Sequence, residues 1–192
     1  YPAKVVTLLI SDVPGDDPSV IASGPTIPDY TSLNDARKIL TKYNIVLPSS
    51  VKSLFQNGGT DTSDPAHPVF QNSIVDIIAK PQDALQAAAE FAREQGIEPI
   101  ILGDSLEGEA RDVALVHAGI TRQILLHNEP VKTPCVILSG GETTVTVSND
   151  LKNPGRGGRN AEFLLAFAEA IEGDPRVYAI AADTDGIDGT ED

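Results

Sequence analysis

From residue 73 onward, short apolar runs alternate with longer stretches of helical periodicity. Ser73-Ile-Val-Asp-Ile-Ile-Ala79 reads as a strand. Pro81 suits the first turn of a helix that runs to Gln95 and stops at Gly96. Glu98-Pro-Ile-Ile-Leu102 predicts a second strand, and Gly103-Asp-Ser leads into a helix through about His127. Val136-Ile-Leu138 and Thr143-Val-Thr-Val147 predict strands joined by Ser-Gly-Gly-Glu. A loop over 148–158, a helix from Arg159 to about Ile171 and a last strand over Arg176–Ala181 complete this stretch. Upstream, Val5-Val-Thr-Leu-Leu-Ile10 is a continuous apolar run, as in strands buried in parallel sheets. Ser32 or Asn34 can cap a helix to about Tyr43, and Pro48 opens a shorter one through Phe55. Strands alternating with helices specify an α/β fold with a mainly parallel sheet.

Charge narrows the function. The chain has 192 residues with 28 acids and 14 bases, a net charge of −14. A nucleic-acid binder needs the opposite sign, so that class is excluded as an expectation. Before residue 67 stand seven acids and five bases; after it stand 21 acids and nine bases. The shift coincides with the Gly- and Pro-containing stretch 56–68, which marks the expected boundary between a domain over 1–66 and another over 67–192. The single cysteine, Cys135, allows neither an internal disulfide nor a multi-cysteine zinc site, and it is expected in the core. His67, His117 and His127 have no metal-ligand spacing and are expected on the surface or in loops. No apolar run reaches the roughly 18 residues of a membrane helix. The lack of methionine and the acidic stop at Asp192 suggest a piece of a longer protein.

Five motifs could carry chemistry, and each also has an ordinary turn-like reading. Ser11-Asp-Val-Pro-Gly-Asp16 follows the first strand, where ligands gather in open α/β sheets. Its carboxylates, Asp12 and Asp16, could hold Mg²⁺ or accept a hydroxyl proton; Asp, Pro and Gly are also common in plain turns. Ala22-Ser-Gly-Pro-Thr26 could line an anion site with Ser23, Gly24 and Thr26, or form a simple proline turn. Ser139-Gly-Gly-Glu-Thr-Thr144 could let a ligand approach its backbone, or be a tight hairpin.

Gly155-Arg-Gly-Gly-Arg-Asn160 opens a helix. It is neither a P-loop nor a dinucleotide fingerprint, because Asn160 stands where a third glycine belongs. It still has the parts of a phosphate cradle: exposed amides, a helix amino terminus and two arginines in acidic surroundings. The alternative is a flexible Arg-Gly stretch. Ala182-Asp-Thr-Asp-Gly-Ile-Asp-Gly189 offers Asp183, Asp185 and Asp188 to a divalent cation or a sugar-like hydroxyl, or is a solvated acidic turn. A weaker candidate, Leu102-Gly-Asp-Ser-Leu-Glu-Gly-Glu109, reads most simply as a capped helix start.

These motifs, in this order, resemble the class II glycerate kinases, the family containing the MOFRL domain, some members of which are labelled hydroxypyruvate reductases. The resemblance spans nearly the whole chain. It implies the C-terminal part of a Rossmann-like domain over residues 1–66, then a mainly parallel α/β MOFRL-type domain over 67–192, cut short at its end. It places the family's catalytic lysine and glycine-rich nucleotide loop ahead of Tyr1. The implied reaction is ATP-dependent phosphorylation of D-glycerate to 2-phosphoglycerate with Mg²⁺, in the cytoplasm. The implied partner is the small-molecule substrate, without nucleic acid or membrane; a homodimer is left open.

By that resemblance Asp12 is the general base or metal-organising carboxylate, with Asp16 supporting it. Arg156, Arg159, Gly155, Gly157, Gly158 and Asn160 bind phosphate or the glycerate carboxylate. Gly140, Gly141, Glu142 and Thr143 line the cleft. Asp183, Thr184 and Asp185 meet hydroxyls or Mg²⁺, with Asp12 and Asp185 as the metal ligands. An NAD(P)H-dependent hydroxypyruvate reductase and a non-catalytic phosphometabolite-binding module are the competing expectations.

Overall fold

The structure, a computed structural model, describes residues 3–57, 65–147, 156–184 and 186–189. Its contacts divide the chain into two compact units, one of residues 1–10 and 17–78, the other of 11–16 and 79–192.

In the first, β1 (Val5–Ile10) pairs with β2 (Ser73–Ala79). The Val5 amide donates to the Asn72 carbonyl at 3.1 Å and the Ser11 amide to the Ala79 carbonyl at 2.9 Å. Both partners advance in the same direction, so the pair is parallel, as the apolar run of β1 anticipates. The burial that such a run implies is not found: Val6, Leu8 and Ile10 are exposed, and within β1 only Leu9 is buried. A 3-10 turn, Ile21–Ser23, ends on Gly24 in the left-handed region. Helix α1 (Leu33–Lys42) starts at Ser32, whose hydroxyl accepts from the Asp35 amide while the Asp35 carboxylate accepts from the Ser32 amide. This reciprocal cap satisfies two amides that a helix start leaves unpaired. Helix α2 (Ser49–Gln56) follows Pro48.

The second unit contains α3 (Pro81–Glu94), β3 (Glu98–Glu109), α4 (Ala110–His127), β4 (Cys135–Thr144) and α5 (Arg159–Ala170). Helix α3 has Pro81 in its first turn and stops at Gly96 (φ +74°), where the Gly96 and Ile97 amides return to the Arg93 and Ala92 carbonyls. That is the termination expected of Gly96. Strands β3 and β4 pair in parallel from Glu98 opposite Cys135 to Glu109 opposite Thr144. The mixed α/β class with parallel strands is as the sequence pattern specifies.

Three elements differ from the sequence reading. β3 does not end at Leu102, and Gly103-Asp-Ser starts no helix. The strand continues to Glu109 through two register shifts, one on each side of Gly103 (φ +139°), so α4 begins only at Ala110. Ser139-Gly-Gly-Glu is not a turn between two strands. It lies inside one continuous strand, β4, paired with β3 throughout, and Val145–Val147 lie beyond it. Arg176–Ala181 forms no strand: Val177 packs on the helices, but no backbone ladder partner exists among the described residues, and Tyr178 and Ile180 are 92% and 91% exposed.

The core of this unit lies where α4 meets α5. Ala114 and Ala118 are fully buried against Phe167, with Phe163, Ala166 and Ala170 around them. Alanines on α4 leave room for two stacked rings, Phe163 and Phe167, 6.1 Å apart and nearly coplanar in orientation. The Arg122 guanidinium on α4 donates to the Ala170 carbonyl, filling a vacant acceptor at the end of α5.

Candidate functional site

Helix α5 begins at Gly158, and its first residue, Arg159, projects a guanidinium toward two carboxylates. Nη1 donates to Glu142 on β4. Nε and Nη2 both donate to Oδ1 of Asp183, at 3.2 and 3.0 Å. Partial burial alone would disfavour the Arg159 charge, but Glu142 and Asp183 outweigh it and hold the group above its ordinary range. Asp183 is nearly buried, and its Oδ2 has no hydrogen-bond partner. The Asn160 side-chain nitrogen, Nδ2, is also buried without a partner.

The start of α5 is occupied from within the chain. Asp188 accepts from the Asn160 amide through Oδ1 at 2.9 Å and from the Ala161 amide through Oδ2 at 2.8 Å. Two glycines make room for it. A Cβ on Gly158 would strike the Asp188 carboxylate, and one on Gly189 would lie 2.6 Å from the Gly157 carbonyl oxygen. Gly141 (φ +149°) faces Leu106 of β3 so closely that a Cβ there would overlap the Leu106 backbone. Beyond β4, the Glu109 carboxylate accepts from Thr146 (hydroxyl 2.7 Å, amide 3.1 Å) and from the Thr144 hydroxyl at 3.1 Å. The Thr146 hydrogen bonds hold Glu109 below the usual carboxylate range.

Asp16 sits after Gly15 in a left-handed conformation (φ +54°), with Oδ2 3.8 Å from Lys80 Nζ and Oδ1 buried without a partner. Ser11, at the start of the same Ser11–Asp16 segment, is buried. In the other unit the Thr26 hydroxyl meets that of Thr7 at 2.7 Å, and Gly24 (φ +53°) has no room for a Cβ beside the Ser19 carbonyl.

Residues 1–56 match a domain of unknown function, DUF4147, and residues 135–192 match the MOFRL family. A protein of Agrobacterium vitis whose name proposes a hydroxypyruvate reductase is 50% identical over the whole chain, which spans 48% of that protein. The D-glycerate 2-kinase of Thermotoga maritima is 39% identical, with the chain spanning 43% of it. The crystal structure of a glycerate kinase from Thermotoga maritima superposes on 88% of this chain and 38% of that one, with a TM-score of 0.68 at 38% identity. The resemblance expected from the ordered motifs is therefore borne out. The chain spans about half the length of the curated relatives it matches.

Within the MOFRL segment, the structure gathers Glu142, Arg159 and Asp183 into one cluster, and joins Gly158 and Asn160 to Asp188. Gly140 and Thr143 lie on β4 on either side of the Gly141–Glu142 pair. Thr184 follows Asp183 in the chain and is exposed. Arg156 and Gly157 lie just before the α5 start. Gly155 and Asp185 lie outside the described residues. Asp12 and Asp16 share the second unit with this cluster, whereas Ser23, Gly24 and Thr26 belong to the first. Among the described residues, no group of three His, Cys, Asp or Glu side chains could hold a metal ion. Among the described residues, one carboxylate oxygen of Asp16 and one of Asp183 are buried without a partner.

Two features escaped the sequence reading. Lys80 faces Asp16, and its position before the helix-opening Pro81 was the available signal. His117 is neither on the surface nor in a loop. It is buried on α4, between the Val113 carbonyl (2.8 Å from Nδ1) and the Ser139 hydroxyl (3.0 Å from Nε2), edge-on to Phe163 at 5.1 Å. Its spacing from Ala114 and Ala118 places it on the helix face that α4 turns inward. Cys135 is half-buried, and burial pushes its thiol up.

Proposed function

We propose that the protein carrying this chain transfers the γ-phosphoryl group of ATP to D-glycerate, giving 2-phosphoglycerate. The observation that carries this reading is the clamped guanidinium of Arg159, set at a helix start between Glu142 and Asp183. A fixed cation beside an unpartnered carboxylate oxygen suits a ligand that carries both negative charge and hydroxyl groups. The glycerate-kinase names and fold of the relatives support the same reaction.

In the step, the substrate hydroxyl oxygen bonds to the γ-phosphorus while the bond to the β,γ-bridging oxygen breaks, and ADP leaves. Asp12 accepts the hydroxyl proton, supported by Asp16. Arg156 and Arg159, with the Gly155, Gly157 and Gly158 amides, hold a phosphate or the glycerate carboxylate. Gly140, Gly141, Glu142 and Thr143 line the site; Ser23, Gly24 and Thr26, in the other unit, form an anion-binding loop of their own. Asp183 and Thr184 orient hydroxyls. Phosphoryl transfer depends on such positioning and charge neutralisation more than on covalent chemistry. Asp12 and Asp185 are the residues that would hold Mg²⁺, which when bound neutralises charge on the phosphates.

The test is ADP release by the full-length protein supplied with ATP, Mg²⁺ and D-glycerate. Glycerate-dependent release is expected, and its absence counts against the reading. The second reading, hydroxypyruvate reduction, rests on the names of the 50%-identical relatives. The chain offers it no dinucleotide fingerprint, since Asn160 replaces the third glycine. Loss of NADH absorbance with hydroxypyruvate would favour it.

A further inference from the structure

We propose that helix α5 carries its own anion: the Asp188 carboxylate fills the seat that a phosphate would take at the helix start, and thereby acts as a positioning residue for Arg159. The first part rests on two hydrogen bonds. The Asn160 and Ala161 amides both point at Asp188 oxygens, at 2.9 and 2.8 Å. These are among the amides a helix start leaves unpaired, and the partial positive charge there favours an anion. With both amides engaged by one carboxylate, a bound phosphate cannot also use them.

The second part rests on the glycines. In the sequence, Gly157 and Gly158 belong to a stretch with the parts of a phosphate cradle, and Gly189 closes the Asp-Gly motif. Their geometry shows a different use for two of them. Without a Cβ, Gly158 admits the Asp188 carboxylate, and Gly189 lies against the Gly157 carbonyl and Gly158 Cα. The two segments are pressed together by residues that have no side chain to keep them apart. Arg159 is the residue directly after Gly158, so the same lock fixes the backbone from which its guanidinium reaches Glu142 and Asp183. Its cation, not the Asn160 and Ala161 amides, then meets the ligand's charge.

This inference rests on the proposed role of Arg159 in holding an anion, but its main test needs no turnover. Amide NMR on the full-length protein follows Asn160 and Ala161 as inorganic phosphate is added. The expected result is no movement of these two signals in the wild type and clear, saturable movement in Asp188→Ala, where the seat is emptied. Wild-type signals that follow phosphate would overturn the inference. Asp188→Ser, which also removes the carboxylate and shortens the side chain, carries the same comparison should the alanine variant fail to fold.

Positioning is read separately. Asp188→Ala and Gly158→Ala both displace the same carboxylate. They should shift the Arg159 Nε–H signal in the same direction, with the double variant no further displaced than either single one. An Arg159 signal unmoved in both single variants overturns the positioning role. In the full-length protein, Asp188→Ala should raise the KM for the anionic ligand about tenfold with little change in kcat, and Asp188→Asn should recover part of it. A loss confined to kcat would contradict it. Failure of the kinase reading would show instead as no glycerate-dependent ADP release in the wild type, with the phosphate titration unaffected.

Discussion

Arg159 donates from both Nε and Nη2 to a single oxygen of Asp183, at 3.2 and 3.0 Å, and leaves the other oxygen buried and unpartnered. One guanidinium therefore fixes the carboxylate while leaving an acceptor available. The first prediction follows from this pair. Arg159→Ala in the full-length protein should raise the apparent KM for a phosphate- or carboxylate-bearing ligand by about 10- to 100-fold, the loss expected for a charge-assisted contact of about 1.5–3 kcal/mol. Arg159→Lys keeps the charge but not the two-nitrogen grip, so it should recover only part of the loss. Steady-state kinetics with each substrate varied in turn checks this, and unchanged constants in Arg159→Ala would remove the residue from the site.

The Gly140–Gly141 pair separates two kinds of glycine. Gly141 has φ +149° and no room beside the Leu106 backbone, so Gly141→Ala should destabilise by about 3 kcal/mol or more. Gly140 would place a Cβ 3.6 Å from Asp104 Cα, an ordinary contact, so Gly140→Ala should stay within about 1 kcal/mol. Urea unfolding of both variants provides the comparison. Equal losses would contradict the strand pairing drawn for β3 and β4.

The start of α1 should respond to acid. Hydrogen bonds from Lys38, then from Ser32, hold the Asp35 carboxyl down from 3.8 to about 2. A carboxyl depressed in the folded state contributes stability above its unfolded value, and the contribution is lost as pH falls through the folded one. The cap should therefore be intact above about pH 4 and fade toward pH 2. Carbon-detected NMR of the Asp35 carboxyl should show a midpoint about two units below an ordinary aspartate's, and an ordinary midpoint would refute the cap.

The α4–α5 contact has no spare volume at Ala118, which is fully buried beside Phe167. Ala118→Leu should destabilise by about 1–3 kcal/mol through overpacking. Thermal or urea unfolding measures it, and a neutral result would mean that the helices are not in contact there.

Local signals were legible in the sequence, and non-local pairings were not. Ser32, or Pro81 and Gly96, mark helix ends because capping acts over a few residues, and both helices occur where those residues place them. The Gly103 and Gly140–Gly141 stretches read as breaks because glycine usually punctuates. They lie within β3 and β4 because each strand is held by its partner across the sheet, a contact that spacing along one strand does not reveal. Arg176–Ala181 has strand composition, but composition alone supplies no ladder partner. At the candidate site, the chemical types in the Arg-Gly and Asp-Gly motifs were visible. That Asp188 caps α5 from 28 positions away, while Asp183 grips Arg159, needed the fold.

The central claim is the phosphoryl transfer, and ³¹P NMR of the reaction reads it most directly. Full-length protein with ATP, Mg²⁺ and D-glycerate should convert the ATP signals to ADP with one new phosphomonoester resonance, coinciding with added 2-phosphoglycerate. Unchanged ATP signals, or ATP consumed equally without glycerate, would contradict the account.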